Sequence, residues 1–178
     1  MKRKNTFRFA LLGATALTLV ACGEPNEDVL AYNSVEACVT AGQQDQAICE
    51  SEFVKAEKLH AEVAPRYNSG NDCYSDFGYD RCYRHRQSSG GSIWLPFMVG
   101  YMLAPRGGSA FISTQPLYRP ASDPNKYYTA TNGRVGAVSA NGRTQVAKSQ
   151  VNRPPQRTRT VSRGGFGARA TGGRGAGG

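Results

Sequence analysis

Acidic residues are almost absent from the second half of this chain. Of the 13 Asp and Glu residues in the 178-residue sequence, 12 lie within residues 22–83 and only Asp123 lies beyond them. With 4 basic residues against 12 acidic ones, residues 22–83 carry a net charge of −8, whereas residues 84–178, with 14 against 1, carry +13. Glycine is equally uneven, since 16 of 21 lie at or after Gly90. We therefore expect a compact acidic part followed by a flexible basic part, which excludes one large core using the whole chain.

Residues that carry catalysis are scarce as well. The sequence has two histidines, no C-x-x-C pair, no phosphate-binding glycine loop and no nucleophile elbow. His60 is expected on an apolar helix face with no second histidine or carboxylate, so we interpret it as a core residue. His85 stands between Arg84 and Arg86 and is expected to be solvated. The sequence thus predicts a protein that is not an enzyme and has neither a cofactor nor a metal site.

The N-terminus has the pattern of an export signal. A basic start precedes the uncharged apolar run 9–20, which is too short to span a bilayer comfortably. Leu19-Val20-Ala21-Cys22 matches a lipobox, in which the cysteine thiol takes a diacylglycerol and cleavage frees its amine for a further acyl chain. We predict a lipoprotein signal peptide over residues 1–21, a lipidated Cys22 and a tether over 22–33. The alternatives are an ordinary cleavable signal with a chance cysteine, and a retained anchor.

A lipidated Cys22 predicts where in the cell the protein is located. Each buried methylene contributes about 0.8 kcal/mol, so two or three acyl chains hold a protein on a membrane stably. Gly23 follows the cysteine, where an aspartate would signal retention at the inner membrane. We therefore expect a lipid-anchored, periplasm-facing protein, at the outer membrane in a host that has two membranes.

The four cysteines beyond Cys22 predict two disulfide bonds, because an exported chain folds in an oxidising compartment. Tyr-Asn-Ser-x3-Cys occurs twice, ending at Cys38 and at Cys73, and each copy is followed by a second cysteine, Cys49 or Cys82. Three pairings are open to four cysteines, and the repeat favours Cys38–Cys49 and Cys73–Cys82. Zinc binding is disfavoured because the gaps of ten and eight residues lack close-set ligand pairs.

Residues 34–83 are predicted to form a disulfide-stapled α-helical module. Ser34 is an N-cap for a helix that Gly42 ends, and Asp45 is an N-cap for a longer helix running to Glu62 before Ala64-Pro65. A third short helix is expected over residues 72–77. Four glutamates of the long helix are interpreted as its wet face: Glu50, Glu52, Glu57 and Glu62.

The second half is predicted to be mostly irregular or disordered. Residues 84–125 are interpreted as a Gly/Pro-rich linker that includes the apolar segment 92–103. This segment either packs on the helices or forms an exposed contact for a partner or the membrane interface. The contact residues would be Trp94, Phe97, Met98, Tyr101 and Met102.

The region beyond the linker is expected to hold a short β-hairpin and a basic tail. The hairpin is placed within residues 126–150 because Asn132-Gly133 favours a type I′ turn. Residues 151–178 are an Arg/Gly-rich segment of low complexity, which predicts disorder. An exported basic tail would contact anionic envelope polymers, and the alternative is a solvated spacer without a target. The arginines of that contact are Arg153, Arg157, Arg159, Arg163, Arg169 and Arg174.

Several of these segments together resemble the YgiB-like family of uncharacterised exported bacterial proteins. The resemblance rests on Cys22, the two cysteine pairs, the run Trp94-x-Pro96-x-Met98-x-Gly100-Tyr101-Met102, Gln115-Pro116-Leu117 and Val161-Ser162-Arg163-Gly164-Gly165-Phe166-Gly167. It implies an accessory envelope protein, often encoded beside an ATP-grasp enzyme similar to glutathionylspermidine synthase. The resemblance implies no catalytic residues.

Three functions follow as hypotheses. The first is a non-enzymatic envelope lipoprotein that binds a protein or an anionic envelope polymer, with no specific nucleic-acid partner and no small-molecule substrate. The second is an exported polyanion-binding protein that acts through its tail. The third is an accessory protein in the pathway of the neighbouring ATP-grasp enzyme.

Overall fold

The computed structural model describes residues 24–88, 90–106, 109–160 and Phe166. Three helices occur in this part of the chain: α1 (Val35–Ala41), α2 (Gln46–Val63) and α3 (Gly70–Phe77). The strands are β1 (Asn26–Tyr32), β2 (Cys82–Arg86), β3 (Ser92–Pro96), β4 (Gly100–Arg106), β5 (Ser109–Tyr118), β6 (Tyr128–Thr129) and β7 (Arg143–Ala147). A 3-10 turn, Lys148–Val151, follows β7 directly.

Five of the strands form one antiparallel sheet in the order β6-β5-β4-β1-β7. The first strand of the chain therefore lies between β4 and β7, with Tyr32 opposite Tyr101 and Val29 opposite Thr144. β2 and β3 form a separate two-stranded antiparallel hairpin. The prediction of a helical module followed by an irregular half is therefore wrong, because strands from both halves of the chain build the main sheet.

Both faces of the main sheet are covered by other parts of the chain. Its strands therefore show little alternation of apolar and polar residues in the sequence. In β1, Leu30 and Tyr32 pack towards α1 and α2, whereas Val29 and Ala31 pack on the opposite face. Adjacent residues of a strand point to opposite faces, so a strand buried on both sides reads as a continuous apolar run. The end of the apolar segment 92–103 belongs to this pattern, since Tyr101, Met102 and Leu103 are buried in β4, whereas its start forms β3 of the separate hairpin.

The bounds of α1 and α2 lie within one residue of those the sequence predicts. The Ser34 side chain accepts a hydrogen bond from the amide of Ala37, and Gly42 ends α1 in the left-handed conformation, at φ 63°. α2 ends before Pro65, and α3 begins two residues earlier than expected. Two disulfide bonds are present: Cys38–Cys49 joins α1 to α2, and Cys73–Cys82 joins α3 to β2.

One glutamate of α2 is buried, although the sequence predicts it on the solvent-exposed face of the helix. Glu52 is buried, at 5% exposure, and its carboxylate contacts the Lys55 ammonium at 2.5 Å and accepts a hydrogen bond from the Thr114 hydroxyl of β5. The interpretation of Glu52 as part of a wet helix face is therefore wrong. Its helix turn faces β5, and the carboxylate is buried with both a cation and a hydroxyl donor.

The region 126–150 contains tight turns, but its two strands do not pair with each other. β6 pairs with β5 and β7 pairs with β1, on opposite edges of the sheet. Around Asn132, the amide of Thr129 donates to the Gly133 carbonyl, and Asn132 alone of the two turn residues has a positive φ, of 67°. This is the geometry of a three-residue loop with one left-handed residue, whereas a type I′ turn needs two.

The start of the basic tail also packs on the fold. The Gln115 side-chain amide donates to the carbonyls of Gln150 and Asn152, and the amide of Arg157 donates to the Glu62 carbonyl at the end of α2. Further along, Phe166 is only 4% exposed and packs on Phe77 at 4.9 Å between ring centroids. Residues 151–160 and Phe166 are thus part of the folded domain, which corrects the prediction of disorder at these positions.

Candidate functional site

The most exposed aromatic side chains of the described residues lie where α3 meets the β2–β3 hairpin. Tyr79 is 80% exposed and Phe97 is 48% exposed. The two belong to neighbouring segments, since the amide of Phe97 donates to the carbonyl of Arg81, two residues beyond Tyr79. We call Tyr79, Arg81, Arg84, Trp94 and Phe97 the hairpin surface, in which strand alternation places Arg84 and Trp94 on one face of the hairpin and Arg81 and Phe97 at the end of the other.

The turn that carries Tyr79 has a fixed backbone. Gly78 has a φ of 99° and Asp80 one of 57°, a region that glycine and aspartate tolerate better than most residues. The amide of Arg81 closes the turn on the Gly78 carbonyl. The Cys73–Cys82 bond then holds the turn between α3 and β2, so Tyr79 is exposed from a short constrained loop.

Trp94 is half-buried and held on two sides. Its backbone exchanges two hydrogen bonds with Tyr67, at 2.8 and 2.9 Å. Its ring meets the Tyr74 ring edge-on at 5.7 Å and lies against Gly70, where a Cβ atom would come within 3.2 Å of the indole. Arg84 is the cross-strand partner of Trp94, which places a guanidinium-bearing residue beside the indole.

Phe97 lies on a polar cluster that reaches into the core. Its ring stacks on Tyr83 at 5.1 Å, and the Tyr83 hydroxyl lies 3.1 Å from His60 Nε2. His60 Nδ1 lies 2.9 Å from the hydroxyl of the fully buried Tyr118. Both ring nitrogens of His60 thus have a tyrosine partner.

The histidine of this cluster is neutral. Burial, with a smaller contribution from the charge of His85, lowers the pKa of His60 from its ordinary 6.5 to about 4. A neutral imidazole carries one N–H, so it donates to one tyrosine oxygen and accepts from the other hydroxyl. The cluster is therefore internally satisfied, and its geometry fixes Tyr83 as a platform for Phe97.

The other residues predicted to contact a partner divide between surface and core. Met98 is half-buried and packs in the cluster around the Cys38–Cys49 bond. Tyr101 and Met102 are completely buried in β4, on opposite faces of the sheet. Of the five residues predicted to contact a partner, only Trp94 and Phe97 belong to the hairpin surface.

The predicted basic contacts are partly engaged within the fold. Arg153 forms an ion pair with Glu62 at 2.8 Å, and Arg157 donates to the carbonyl of Ala130. Arg159 is exposed. Cys22, Arg163, Arg169 and Arg174 lie outside the described residues.

The described residues offer little for metal chemistry or membrane crossing. No group of three or more His, Cys, Asp or Glu side chains in this part of the chain is placed to hold a metal ion. All four cysteines of the described domain are in disulfides, and His60 is held by two tyrosines. None of the described helices is both long and apolar enough to cross a membrane.

The fold and this surface define a class: a small disulfide-bonded domain in which helices pack on a five-stranded antiparallel sheet and a hairpin carries exposed aromatic and arginine residues. The chain belongs to the family described as Protein of unknown function (DUF1190), whose profile matches residues 26–176. This confirms the resemblance to the YgiB-like family.

The relatives that match the chain carry the name of one protein family, UPF0441. A UPF0441 protein of Klebsiella pneumoniae is 32% identical over 173 residues, covering 88% of this chain and 78% of the relative. One from Pectobacterium atrosepticum is 32% identical over 174 residues, covering 89% and 78%. No solved structure matches the chain.

The main sheet is what reasoning from the sequence missed most clearly. A Gly-Gly dipeptide at residues 107–108, between the runs that form β4 and β5, is a recognised hairpin signal and would have indicated their pairing. β1 carried a weaker signal, because it begins with three polar residues and continues as a short apolar run.

Proposed function

We propose that this chain is a non-enzymatic cell-envelope lipoprotein, anchored through acylated Cys22, that binds an acidic face of another envelope protein through the hairpin surface. The observation that carries the proposal is the exposure of Tyr79 and Phe97 on a rigid part of the fold. Exposed aromatic residues accompanied by arginine are enriched in protein interfaces and dominate their energetics.

The charge around this surface supports an acidic partner. Arg81, Arg84 and Arg86 are exposed, and none of them forms an ion pair within the described part of the chain. Asp80 is exposed in the turn between Tyr79 and Arg81, and the sequence has no further carboxylate before Asp123, so the three arginines outnumber it. A surface of this sign favours a partner whose potential is negative and speeds its encounter with that partner.

The rigidity of the surface also favours binding. Ordering of side chains and loops costs free energy on association, and a surface that is fixed before binding avoids part of that cost. Tyr79 is held by the Cys73–Cys82 bond and Phe97 by stacking on Tyr83, whose hydroxyl bonds to His60. The surface thus needs little rearrangement to present its aromatic rings.

The tether would be short. β1 begins at Asn26, within the segment 22–33 predicted as the tether, so three residues separate the predicted acylation site at Cys22 from the sheet. An extended chain spans roughly 3.5 Å per residue, which gives the four steps from Cys22 to Asn26 a reach of about 14 Å. We infer that the domain works close to the membrane surface and recruits a membrane-associated partner.

The surface is tested by site-specific photo-crosslinking in cells of the host. A benzoyl-phenylalanine at position 97 or 79 should give a discrete cross-linked protein, whereas the same probe at Val54, which is 45% exposed on α2, should not. Arg84→Glu should weaken the purified complex by about tenfold or more, because it reverses a charge beside Trp94. Equal cross-linking from Val54, or binding unchanged by Arg84→Glu, would contradict the proposed surface.

The anchor is tested separately by the intact mass of the membrane-extracted protein. We expect cleavage before Cys22 plus the mass of acyl chains, and four alkylatable thiols only after reduction. Cys22→Ser should abolish the added mass and release the protein from the membrane. An unlipidated mass in the wild-type protein would overturn the anchor and leave the hairpin surface to be judged by cross-linking.

A second candidate function is binding of anionic envelope polymers by the basic tail. It is favoured by the exposure of Arg159 and by the ten basic residues that follow Asp123 with no acidic residue among them. The combined substitution of Arg163, Arg169 and Arg174 by Gln should reduce retention on a polyanion column, most strongly at low salt. Retention that does not change with these substitutions would contradict tail binding.

A further inference from the structure

A polar groove lies apart from the hairpin surface. A groove of about 550 Å³ separates the loop that joins β2 to β3 from the C-terminal segment around Arg159. Its volume lies in the range of small-molecule sites, which is about 300–1,000 Å³. The polar side chains that line it include Arg66, Asn68, Gln87, Thr158, Arg159 and Thr160.

The groove has two guanidinium groups and no carboxylate among the residues that line it. Arg66 lies three residues beyond the end of α2, and its Nη2 donates to the Ala61 carbonyl of the last helical turn at 3.2 Å. This bond fixes the guanidinium. Arg66 Nε is buried and finds no acceptor among the described residues. Because this Nε has no exposed surface, a ligand in the groove would reach Arg66 through the other nitrogens of its guanidinium.

The remaining groups of the groove suit a tetrahedral oxyanion. Threonine hydroxyls at 158 and 160 and the amide groups of Asn68 and Gln87 are neutral donors that can satisfy several oxygens at once. Guanidinium groups bind phosphate with two parallel hydrogen bonds, which makes arginine the preferred residue for this anion. A carboxylate ligand would use fewer of these donors.

We propose that this groove binds a phosphate group carried by a larger molecule, with Arg66 and Arg159 as its principal ligands. The site goes beyond the proposed function and does not depend on it, because none of the hairpin-surface residues lines the groove. The phosphate belongs either to a phospholipid headgroup or to a soluble phosphate ester, and the experiment below separates the two.

The probe is inorganic phosphate, added to the mature chain carrying Cys22→Ser. The Nε–H resonances of Arg66 and Arg159 in ¹H–¹⁵N spectra should shift saturably with phosphate and not with chloride. Arg159→Gln should weaken phosphate binding by about tenfold, since it removes a charged donor. Arg66→Lys keeps the charge but loses the paired geometry and should weaken it as well.

Arg153→Gln is the matched control, because Arg153 lies in the same segment but pairs with Glu62 and does not line the groove. It should change phosphate affinity by less than about twofold. The proposal is overturned if no saturable shift occurs, or if phosphate binds Arg159→Gln and Arg66→Lys as tightly as the unsubstituted protein.

Vesicle flotation separates the sources of the phosphate. If phosphatidylglycerol vesicles retain the chain and the Arg66→Lys/Arg159→Gln double variant releases it, while phosphatidylcholine vesicles retain neither, the ligand is a lipid headgroup. If phosphate shifts both arginines but the double variant floats like the unsubstituted chain, the ligand is a soluble phosphate ester. Both results support the groove, whereas vesicle binding without any phosphate shift at the two arginines refutes it.

Discussion

At the scale of single residues, the most informative features are polar groups that the fold buries and satisfies. His60 lies on the apolar stripe of α2, as its spacing in the sequence predicts, but its two tyrosine partners come from β2 and β5. These partners are 23 and 58 residues away along the chain. A helical pattern shows that a residue is buried, whereas its hydrogen-bond partners depend on strand pairing that local sequence does not encode.

The neutral His60 predicts a loss of stability at mildly acidic pH. Its folded-state pKa, about 4, lies below its ordinary value of 6.5, so the unfolded chain binds the proton more strongly. Stability is therefore fully present above pH 6.5 and falls as the pH drops towards 4, by about 3 kcal/mol from this group. Urea unfolding at pH 7, 6 and 5 measures the slope.

The matched variants are His60→Gln and His85→Gln. His60→Gln removes the titrating group and should flatten the dependence between pH 7 and 5, whatever its effect on stability at pH 7. His85→Gln should retain most of the slope, since His85 is only half-buried on β2. If His60→Gln keeps the full slope, another group is responsible.

Phe166 and Phe97 are a second matched pair, one buried and one exposed. Phe166 is 4% exposed and its amide donates to the buried Asp76 carboxylate at 3.1 Å, whereas Phe97 is 48% exposed. Phe166→Ala should lower the free energy of unfolding by about 2 kcal/mol or more, somewhat below the 3–5 kcal/mol typical of a core phenylalanine near the middle of a chain. Phe97→Ala should cost less than about 1 kcal/mol. Thermal unfolding of both variants checks this, and equal losses would contradict the docking of Phe166.

At the scale of elements, the helices could be predicted and the main sheet could not. Helix boundaries are local: Ser34 and Gly42 bound α1 through contacts within a few residues. β1, by contrast, pairs with strands about 70 and 115 residues away. Pro116 within β5 is a residue type that argues against an interior strand, so it obscured the sheet further.

The hairpin surface could be predicted in part for the same reason. Trp94 and Phe97 stand out in composition, but Tyr79 and Arg81 join them only through the turn between α3 and β2 and the bond between Phe97 and Arg81. Tyr101 and Met102 share the same apolar segment yet belong to a central strand. Segment composition cannot separate the exposed end of a hairpin from the buried strand that follows it.

The two disulfides should contribute similarly to stability but differently to binding at the hairpin surface. They close loops of similar length, with sequence separations of 11 and 9, so replacing either pair by serine should cost about 2–3 kcal/mol. Only Cys73–Cys82 supports the turn that carries Tyr79. We therefore expect Cys73→Ser/Cys82→Ser to reduce photo-crosslinking at position 79, while Cys38→Ser/Cys49→Ser leaves it unchanged at a temperature where both variants are folded. Equal loss of cross-linking in the two variants would show that the turn does not depend on its own bond.

At the scale of the whole molecule, the acidic and basic segments of the sequence are parts of one fold. Lys148 lies 3.7 Å from Glu27, and Arg153 lies 2.8 Å from Glu62, so basic residues late in the chain contact acidic residues early in it. The uneven charge suggested two separate parts because position along the sequence does not show which segments meet in the fold. Antiparallel pairing of β1 with β4 and β7 brings the two parts together.

This arrangement predicts that residues 151–160 are needed for folding. A chain ending at Gln150 loses the Asn152 carbonyl that accepts from the Gln115 amide, the Val151 carbonyl that accepts from Ser113, and the buried Pro154. Gln115 is 1% exposed, so a donor left without its acceptor costs about 1–3 kcal/mol. We expect the chain ending at Gln150 to be less stable by at least about 2 kcal/mol than one ending at Thr160, measured by urea unfolding.

Both truncated chains lack Phe166 and all later arginines, so their difference isolates the segment 151–160. Gln115→Met supplies the control, because it removes the buried amide while keeping a side chain of similar length. In the chain ending at Gln150 it should recover part of the lost stability, whereas in the chain ending at Thr160 it should be neutral or destabilising. Equal stability of the two truncated chains would show that the segment is dispensable, and a cut at residue 150 could then be used to test the tail as a polyanion ligand. Instability of the shorter chain would mean that any loss of binding reports the fold, so the tail has to be tested by substitution of its arginines.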